Sequence, residues 1–337
     1  EAIVVADKHT LAAAGPAVLS QLNSSSISHG EPFIFSDPNL YAEHKFVEQL
    51  ETRLRTDSAI PIVVGSGTLN DLVKLAAHRC GRSYLCVATA ASMDGYTAFG
   101  ASITHNGSKQ TFLCPAPKAV VADLEVICAA PPEMNAWGYA DLLAKVTAGA
   151  DWLVADALGV EAIHEQAWNI VQGRLRELVA EPAGITRNDT VALSHLVEGL
   201  MLGGFAMQAA KSSPAASRAE HQFSHLWDMQ HHVHHGKAPS HGFKVGIGTL
   251  AMTALYEYLL RQPLETLDIE RACKSWPDER SREARIRELF DDDDLLAVAL
   301  QETRAKSIVA EELRKQLEQL RLLWPGLRER LRKQLLS

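Results

Sequence analysis

The chain has 337 residues, of which 47% are hydrophobic, so it is long and apolar enough to bury a substantial core. Its formal net charge is -8 and its basic residues form no dense patch, which excludes a typical nucleic-acid-binding protein. The sequence opens without a secretion signal, and its apolar runs fall short of the about 18 residues that cross a membrane. We therefore expect a cytoplasmic protein with no nucleic-acid partner and no membrane span.

Short runs of β-branched and other apolar residues alternate with helical stretches over the first 130 residues. These runs predict strands at residues 3–6, 33–35, 60–64, 84–88 and 119–122. Such alternation is typical of an α/β domain with a mostly parallel sheet. Because the chain begins directly on the first of these strands, we expect a further segment to precede it.

The composition changes at Pro131 and Pro132. From Ala140 onward, apolar residues recur at helical spacing and strand-like runs disappear. The chain length and this change predict two domains, an α/β domain over residues 1–130 and an all-helical domain over residues 131–337.

The end of the chain has its own pattern. Residues 295–336 place Leu and Ala three and four positions apart among charged side chains, which predicts a solvated, amphipathic pair of helices interrupted at Pro325. Four aspartates at residues 291–294 precede this segment. We expect them to cap its first helix, because adjacent residues rarely converge on one metal ion.

A glycine-rich turn follows the third predicted strand, in the stretch VVGSGTLNDLVKLAAHRCG. Gly65, Ser66 and Gly67 precede a helix predicted to begin at about Asn70, so unpaired N–H groups and the positive end of a helix dipole meet at one point that suits a phosphate. The third glycine of the dinucleotide fingerprint is absent, since Asn70 occupies its position. The same residues also fit a purely structural turn in which Asn70 or Asp71 caps the helix.

A second polar loop, VATAASMDGYTAFGA, follows the next predicted strand. It offers Thr89, Ser92 and Asp94 at the same edge of the sheet. Hydroxyl groups there can contact the phosphates or the amide of a cofactor, and a carboxylate can bind a substrate hydroxyl. Two such loops at neighbouring strand ends form the crevice in which open α/β sheets bind their ligands.

The predicted helical domain contains a candidate metal site in the stretch EHQFSHLWDMQHHVHHGKAPSHGFKVGIGT. His221 and His225 are four residues apart and share one face of a helix, and His241 begins another predicted helix. Asp141 would complete a site of two histidines and one carboxylate with open coordination positions, which is how a catalytic ion is held. Lys145 lies one turn after Asp141 on the same face. The alternative is that these histidines only pack between helices.

Two further sets of reactive side chains are given no catalytic role. We expect the cysteines, which are odd in number, scattered and without CxxC spacing, to be reduced packing residues: Cys80, Cys86, Cys114, Cys128 and Cys273. Four other histidines occupy a predicted flexible loop with adventitious metal affinity at most: His231, His232, His234 and His235.

Four stretches together resemble a known family. GSGTLNDLVK, TAASMDGYTAFGA, GYADLLAK and EHQFSHLWDM…SHGFKVGIGT occur in the order and spacing of the bacterial glycerol-1-phosphate dehydrogenases, which belong to the dehydroquinate synthase and iron-containing alcohol dehydrogenase superfamily. The resemblance spans essentially the whole chain. It implies a Rossmann-like α/β N-terminal domain that binds NAD(P), an all-α C-terminal domain that binds metal and substrate, an active site in the cleft between them, and a homodimer.

The resemblance also implies an activity and its residues. The activity is the reversible reduction of dihydroxyacetone phosphate to sn-glycerol 1-phosphate, with hydride from NAD(H) or NADP(H) and with Zn²⁺, Ni²⁺ or Fe²⁺ polarising the carbonyl. Asp94 corresponds to a substrate contact, and His225 to a residue facing the substrate. The metal positions correspond to Asp141, His221 and His241. The cofactor positions correspond to Gly65, Ser66, Gly67, Thr68, Asp71, Thr89 and Ser92.

Several roles are expected on weaker grounds. His225 would titrate near neutrality and relay a proton to the product, and Lys145 would supply charge near the substrate phosphate. In the archaeal branch a serine that touches the cofactor stands where this chain has Ala98, so Thr97 takes over that contact or the contact is lost. Asp7 would lie near the adenosine end of the cofactor.

Three alternative functions remain open. A glycerol or other polyol dehydrogenase of the same superfamily would use the same metal and cofactor sites without a phosphate pocket. A dehydroquinate-synthase-like lyase would keep NAD bound and eliminate phosphate, although those enzymes have glutamate where Asp141 stands. A non-catalytic protein that binds nucleotide or metal would retain the fold alone.

Overall fold

The computed structural model describes residues 1–211 and 216–336. Five parallel strands form a sheet in the order β2-β1-β3-β4-β7, and two antiparallel strands form a hairpin, β5-β6. The strands are β1 Ala2–Asp7, β2 Phe33–Phe35, β3 Ile60–Gly65, β4 Leu85–Ala88, β5 Ala101–His105, β6 Ser108–Phe112 and β7 Ala119–Ala122. All five strands predicted from the sequence are present, with each end within one residue of its predicted position.

The large sheet is buried on both faces, which explains its near-continuous apolar strands. Successive residues of a strand point to opposite faces, so Ile3 and Val5 enter one hydrophobic cluster while Val4 and Ala6 enter another. Two helices cover the first face and one covers the second. The three helices are α1 Lys8–Ser24, α2 His44–Leu54 and α3 Gly67–Arg79.

The order of the strands reverses beside β1. The chain leaves β1 for β2 on one side and then returns to β3 on the other. In open parallel sheets, ligands bind at the carboxyl ends of the strands that flank such a reversal. Asp7 and Gly65 occupy those two ends.

The β5–β6 hairpin is not among the elements predicted from the sequence. Its turn is formed by Asn106 and Gly107, with φ of 50° and 74°. Two consecutive positive φ angles define a tight hairpin turn that favours the Asn-Gly pair, so the signal was present in the sequence. The flanking strands are largely polar, which is why a search for apolar runs passed over them.

After residue 122 the described elements are helices. They are α4 Leu124–Cys128, α5 Pro132–Ala157, α6 Glu165–Gln172, α7 Leu175–Leu178, α8 Pro182–Thr186, α9 Thr190–Ala210, α10 Ala219–Met229, α11 His241–Leu260, a 3-10 turn Leu264–Thr266, α12 Ile269–Ser275, α13 Glu279–Arg287, α14 Asp293–Ala305 and α15 Ala310–Leu336. The helix α5 packs against α9, α11 and α15 at the centre of this part. Ile127 of α4, which precedes residue 131, packs in one hydrophobic cluster with helices that follow it. The domain division at residue 131 stays a prediction.

The end of the chain differs from its prediction. The break between its two helices lies at residues 306–309, and α15 runs through Pro325 without interruption. Trp324 and Leu327 on either side of this proline are buried in one cluster with helices α5 and α11, so tertiary packing holds the helix together where local sequence predicts an end. The same burial shows that one face of α15 is not solvated. The aspartate prediction is confirmed, since Asp292 caps α14 by accepting a bond from the N–H of Leu295 at 2.9 Å.

One helix is long and apolar enough to cross a membrane by length and composition, contrary to expectation. In α9, an 18-residue window has a mean hydropathy of 1.4, and 50% of that window is buried inside the fold. Leu193, Leu196 and Leu200 of this helix share a hydrophobic cluster with Leu142 of α5 and Ile185 of α8. Packing between helices therefore accounts for much of its apolar composition.

The cysteines are free, as expected. Cys86 and Cys114 lie in the core of the sheet region, where burial raises the pKa of their thiols to about 12 and about 11. These two thiols therefore stay protonated at neutral pH and act as packing groups.

Candidate active site

The loop after β4 is held in place by a buried lysine that sequence analysis did not single out. Lys74 of α3 is fully buried, and its ammonium group donates hydrogen bonds to the carbonyls of Gly95, Ala98 and Gly100 at 2.9, 3.1 and 3.0 Å. Three donors thus meet three acceptors, which fixes the backbone of the loop around Asp94.

Helix α5 approaches this loop closely because it has glycine at position 138. A Cβ atom on Gly138 would lie 1.8 Å from the carbonyl oxygen of Ala91, which no larger residue could tolerate. Asn135, one turn earlier, accepts a hydrogen bond from the N–H of Ala91 at 3.3 Å. The approach brings Asp141 to the loop, where its Oδ2 accepts the N–H of Asp94 at 3.0 Å.

The three predicted metal ligands converge. Asp141 of α5, His221 of α10 and His241 of α11 place one ligand atom each within 4.8 Å of one another. The Nε2 atom of His221 lies 3.4 Å from Oδ1 of Asp141, and the two imidazole rings are 5.2 Å apart. Helices α10 and α11 meet closely here, because a Cβ on Gly248 would lie 2.3 Å from the carbonyl oxygen of Glu220.

This donor set fits a divalent transition metal. Two imidazole nitrogens and one carboxylate oxygen suit Zn²⁺, Ni²⁺ or Fe²⁺ and leave coordination positions open. Burial disfavours a charged His221, but hydrogen bonds to Asp141 and Glu220 outweigh it and raise the pKa of this histidine to about 9. Without an ion the ring is therefore protonated at neutral pH, and a bound ion would take the place of that proton.

Two polar residues that sequence analysis overlooked hold the histidine rings. Oε1 of Glu220, which is fully buried, lies 2.8 Å from Nδ1 of His221. Oγ of Ser224 lies 3.3 Å from Nδ1 of His241. A carboxylate on the far nitrogen of a histidine ligand fixes its orientation and tautomer and leaves Nε2 for the metal. The adjacent letters EH in the motif were the available signal.

We expect Glu220→Gln to weaken metal binding about 10- to 100-fold, the usual effect of removing such a partner. The amide keeps the shape of the side chain but loses the charge that favours the orienting bond. Competition with a chelator would measure the dissociation constant. Glu257→Gln, at an exposed glutamate of α11, is the matched control. Unchanged metal affinity in the Glu220 variant would show that this carboxylate has only a packing role.

Lys145 lies one turn after Asp141, as expected, and pairs with two carboxylates. Its Nζ lies 2.6 Å from Oδ2 of Asp94 and 3.2 Å from Oδ1 of Asp141, and its side chain is 1% exposed. Burial opposes the charge, yet the two carboxylates raise the pKa of Lys145 above its usual value. The ammonium group offsets the charge of carboxylates at the metal cluster, and its expected role near a substrate phosphate stays a prediction.

His225 faces the same region, one helical turn after His221. Burial, together with the positive charges of Lys109 and His221, lowers its pKa to about 4. The expectation that it titrates near neutrality is therefore wrong. Its imidazole is uncharged at neutral pH.

The glycine turn lies at the carboxyl end of β3, and its helix starts earlier than predicted. The helix α3 begins at Gly67, with Ser66 as its N-cap, and within the described ranges the Ser66 side chain makes no capping bond. Asn70 and Asp71 do not cap the helix. The amide of Asn70 accepts the hydroxyl proton of Tyr84, and Oδ2 of Asp71 accepts the N–H of Ser102.

The proposed cofactor residues are therefore divided by their positions. Gly65, Ser66, Gly67 and Thr68 stand at the crevice, whereas Asp71 is committed to the hairpin. The N–H of Thr89 donates to the carbonyl of Gly65 at 3.2 Å and so joins the two loops, with Ser92 on the second.

The structure also shows the surroundings of Thr97 and Asp7, two residues expected near the cofactor. The hydroxyl of Thr97 donates to the carbonyl of Met201 in α9 at 2.7 Å, and its contact with the cofactor in place of the missing serine at Ala98 stays a prediction. Asp7 caps α1 by accepting the N–H groups of His9 and Thr10 at 2.7 and 2.9 Å. Asp7 nevertheless stands at the predicted edge of the sheet, beside β3. The four loop histidines lie exposed between α10 and α11.

Comparison with known proteins shows which family has a similar sequence. The model of the iron-containing alcohol dehydrogenase family matches residues 1–131. A glycerol-1-phosphate dehydrogenase [NAD(P)+] of Halalkalibacterium halodurans is 33% identical over 270 residues, which are 79% of this chain and 67% of that relative. One from Geobacillus stearothermophilus is 30% identical over 295 residues, or 86% of this chain and 72% of the relative. The chain belongs to the glycerol-1-phosphate dehydrogenase family.

The family assignment made from four sequence motifs is thus confirmed. The fold agrees with it, since a glycerol dehydrogenase of Schizosaccharomyces pombe superposes with a TM-score of 0.62 over 99% of this chain and 85% of that chain. At 17% identity this likeness concerns the fold alone. The α/β sheet region followed by helices is therefore an architecture that this chain shares with that glycerol dehydrogenase.

Proposed function

We propose that this protein catalyses the reversible, NAD(P)H-dependent reduction of dihydroxyacetone phosphate to sn-glycerol 1-phosphate. The observation that supports the proposal most is the convergence of Asp141, His221 and His241 beside Asp94, where the loop after β4 meets three helices. Relatives at 30% identity or more carry the name of that activity.

The cofactor would bind across the carboxyl ends of β1 and β3. Its pyrophosphate would accept hydrogen bonds from the first N–H groups of α3, with Gly65 and Gly67 allowing close approach of the backbone. The free hydroxyl of Ser66 and those of Thr89 and Ser92 would complete this cradle. These residues would hold the cofactor at the crevice, and the nicotinamide would supply the hydride.

Asp141, His221 and His241 would hold the metal. When bound, a divalent ion polarises the substrate carbonyl and stabilises negative charge on its oxygen. Asp94, held by Lys145, would fix a substrate hydroxyl. The uncharged His225 would give the proton of one ring nitrogen to the product oxygen while its other ring nitrogen takes a proton from solvent water, so that the ring holds no standing charge.

A polyol dehydrogenase is the second candidate function, because Lys145, the residue expected near a substrate phosphate, is already paired with two carboxylates. The two functions are separated by NADH and NADPH oxidation with metal-reconstituted protein. Dihydroxyacetone phosphate and dihydroxyacetone would be compared, and the product analysed on a chiral phase. Preference for the phosphate with sn-glycerol 1-phosphate as product is expected. Preference for dihydroxyacetone, or the opposite enantiomer, would contradict the proposal.

The proposal includes a cytoplasmic location and assembly as a homodimer. Exposed apolar side chains on α11, among them Leu250 at 66% and Tyr258 at 64%, support a surface that a second copy covers. Sedimentation equilibrium of the full chain would show its oligomeric state.

A further inference from the structure

Two lysines converge on one aspartate beside the candidate metal cluster. Nζ of Lys109, on β6, lies 3.7 Å from Oδ2 of Asp228, at the end of α10. The ammonium group of Lys244, on α11, donates to the other oxygen of the same carboxylate. The Lys244 side chain is 6% exposed and that of Lys109 is 20% exposed. We refer to Lys109 and Lys244 as the lysine pair.

The lysine pair lies close to the metal cluster. Lys244 follows His241 by three residues on α11, and Asp228 follows His225 by three residues on α10, so each step is about one turn, or roughly 5 Å along the axis. The charges of both lysines and of His221 act on the His225 ring, so this histidine lies near the pair and near the cluster.

Charge is distributed unevenly between the metal cluster and the lysine pair. At the metal cluster, the three carboxylates of Asp94, Asp141 and Glu220 lie with one lysine, Lys145. At the other end, the two ammonium groups of Lys109 and Lys244 flank one carboxylate, Asp228. A ligand with neutral oxygens at one end and an anion at the other matches this arrangement.

We propose that the lysine pair binds the phosphate of a small phosphomonoester whose carbonyl or hydroxyl group is at the metal cluster. The proposal rests on the proposed function and deepens it, because it assigns the recognition that separates a phosphorylated substrate from a free polyol. Each ammonium group has three N–H donors, so donors remain for phosphate oxygens beyond the bonds to Asp228. Asp228 keeps the two lysines at a fixed separation.

The two lysines come from different parts of the fold. Lys109 belongs to the hairpin that follows the sheet loops, and Lys244 belongs to a helix that bears a candidate metal ligand. The helix α10 packs directly against β6 and brings the two together. A phosphate bound between them therefore joins the cofactor side of the crevice to the metal side.

The variants Lys109→Met and Lys244→Met test the assignment, because methionine keeps an apolar stem of similar length and removes the charge. We expect the kcat/KM ratio of dihydroxyacetone phosphate to dihydroxyacetone to fall about 10- to 100-fold in each, which is the usual worth of a charge-assisted bond. Lys109→Arg should restore much of the ratio. Lys315→Met, at a 74% exposed lysine of α15, is the control and should keep the wild-type ratio.

Inorganic phosphate provides a probe that needs no turnover. Added phosphate should raise the melting temperature of the metal-loaded wild type and of Lys315→Met, and should have a much smaller effect on both lysine-pair variants. If the wild type prefers dihydroxyacetone but still shows the phosphate shift through the lysine pair, the proposed function fails and this site stands. Equal phosphate shifts, or an unchanged substrate ratio, in folded Lys109→Met and Lys244→Met would overturn the site.

Discussion

The variant His241→Ala is expected to lose bound metal and to lose at least about a thousandfold of the reductase activity. The ligand atoms of Asp141, His221 and His241 lie within 4.8 Å of one another, and two of them do not form a stable catalytic site. Loss of carbonyl polarisation removes several kcal/mol of transition-state stabilisation, and each about 1.4 kcal/mol is tenfold in rate. Metal content by elemental analysis and NAD(P)H oxidation would measure the two losses.

The variant His235→Ala is the matched control, because this histidine lies in the exposed loop between the same two helices. A chelator should inactivate the wild type, and added metal should restore it. The same metal addition should not restore His241→Ala. A fully active, metal-loaded His241→Ala would show that this histidine is not a ligand.

Local patterns predicted the sheet well because its strands are short apolar runs between glycine turns and helices. Residues 33–35 and 119–122 were predicted to the residue, since β-branched and aromatic side chains mark them. The hairpin was missed because one of its faces is polar, although Asn106 and Gly107 specify its turn. Pro325 predicted a helix end because that prediction weighs only the lost N–H group, whereas burial of Trp324 comes from distant helices.

The metal ligands could be proposed from the sequence because their residue types and helical spacing reflect the chemistry itself. Their charged partners could not. Asp94 and Lys145 are 51 positions apart, and nothing local in the sequence predicts that they form an ion pair. The mistake about His225 has a traceable origin: its low pKa depends on burial and on Lys109, and Lys109 belongs to the hairpin that was missed. Because the hairpin was not predicted, the protonation state of His225 was predicted incorrectly.

The variant Lys145→Met should destabilise the metal-free protein by about 3 to 5 kcal/mol, the usual cost of removing one partner from a buried ion pair. Its ammonium group lies between Asp94 and Asp141, and all three side chains are buried. Without it, two carboxylates lie next to each other, and the positive charge of His221 compensates them in part. Urea unfolding in the presence of a chelator would measure the change in the free energy of unfolding.

Metal distinguishes this effect from a general loss of packing. A divalent ion at Asp141 supplies the missing positive charge, and in the wild type it must bind beside the ammonium group that repels it. The ion should therefore stabilise Lys145→Met more than it stabilises the wild type, so that the difference between them narrows. Lys74→Met removes another fully buried lysine, whose main partners are three backbone carbonyls, and its loss should be the same with and without metal. If metal leaves the deficit of Lys145→Met as large as that of Lys74→Met, Lys145 does not share its carboxylates with the ion.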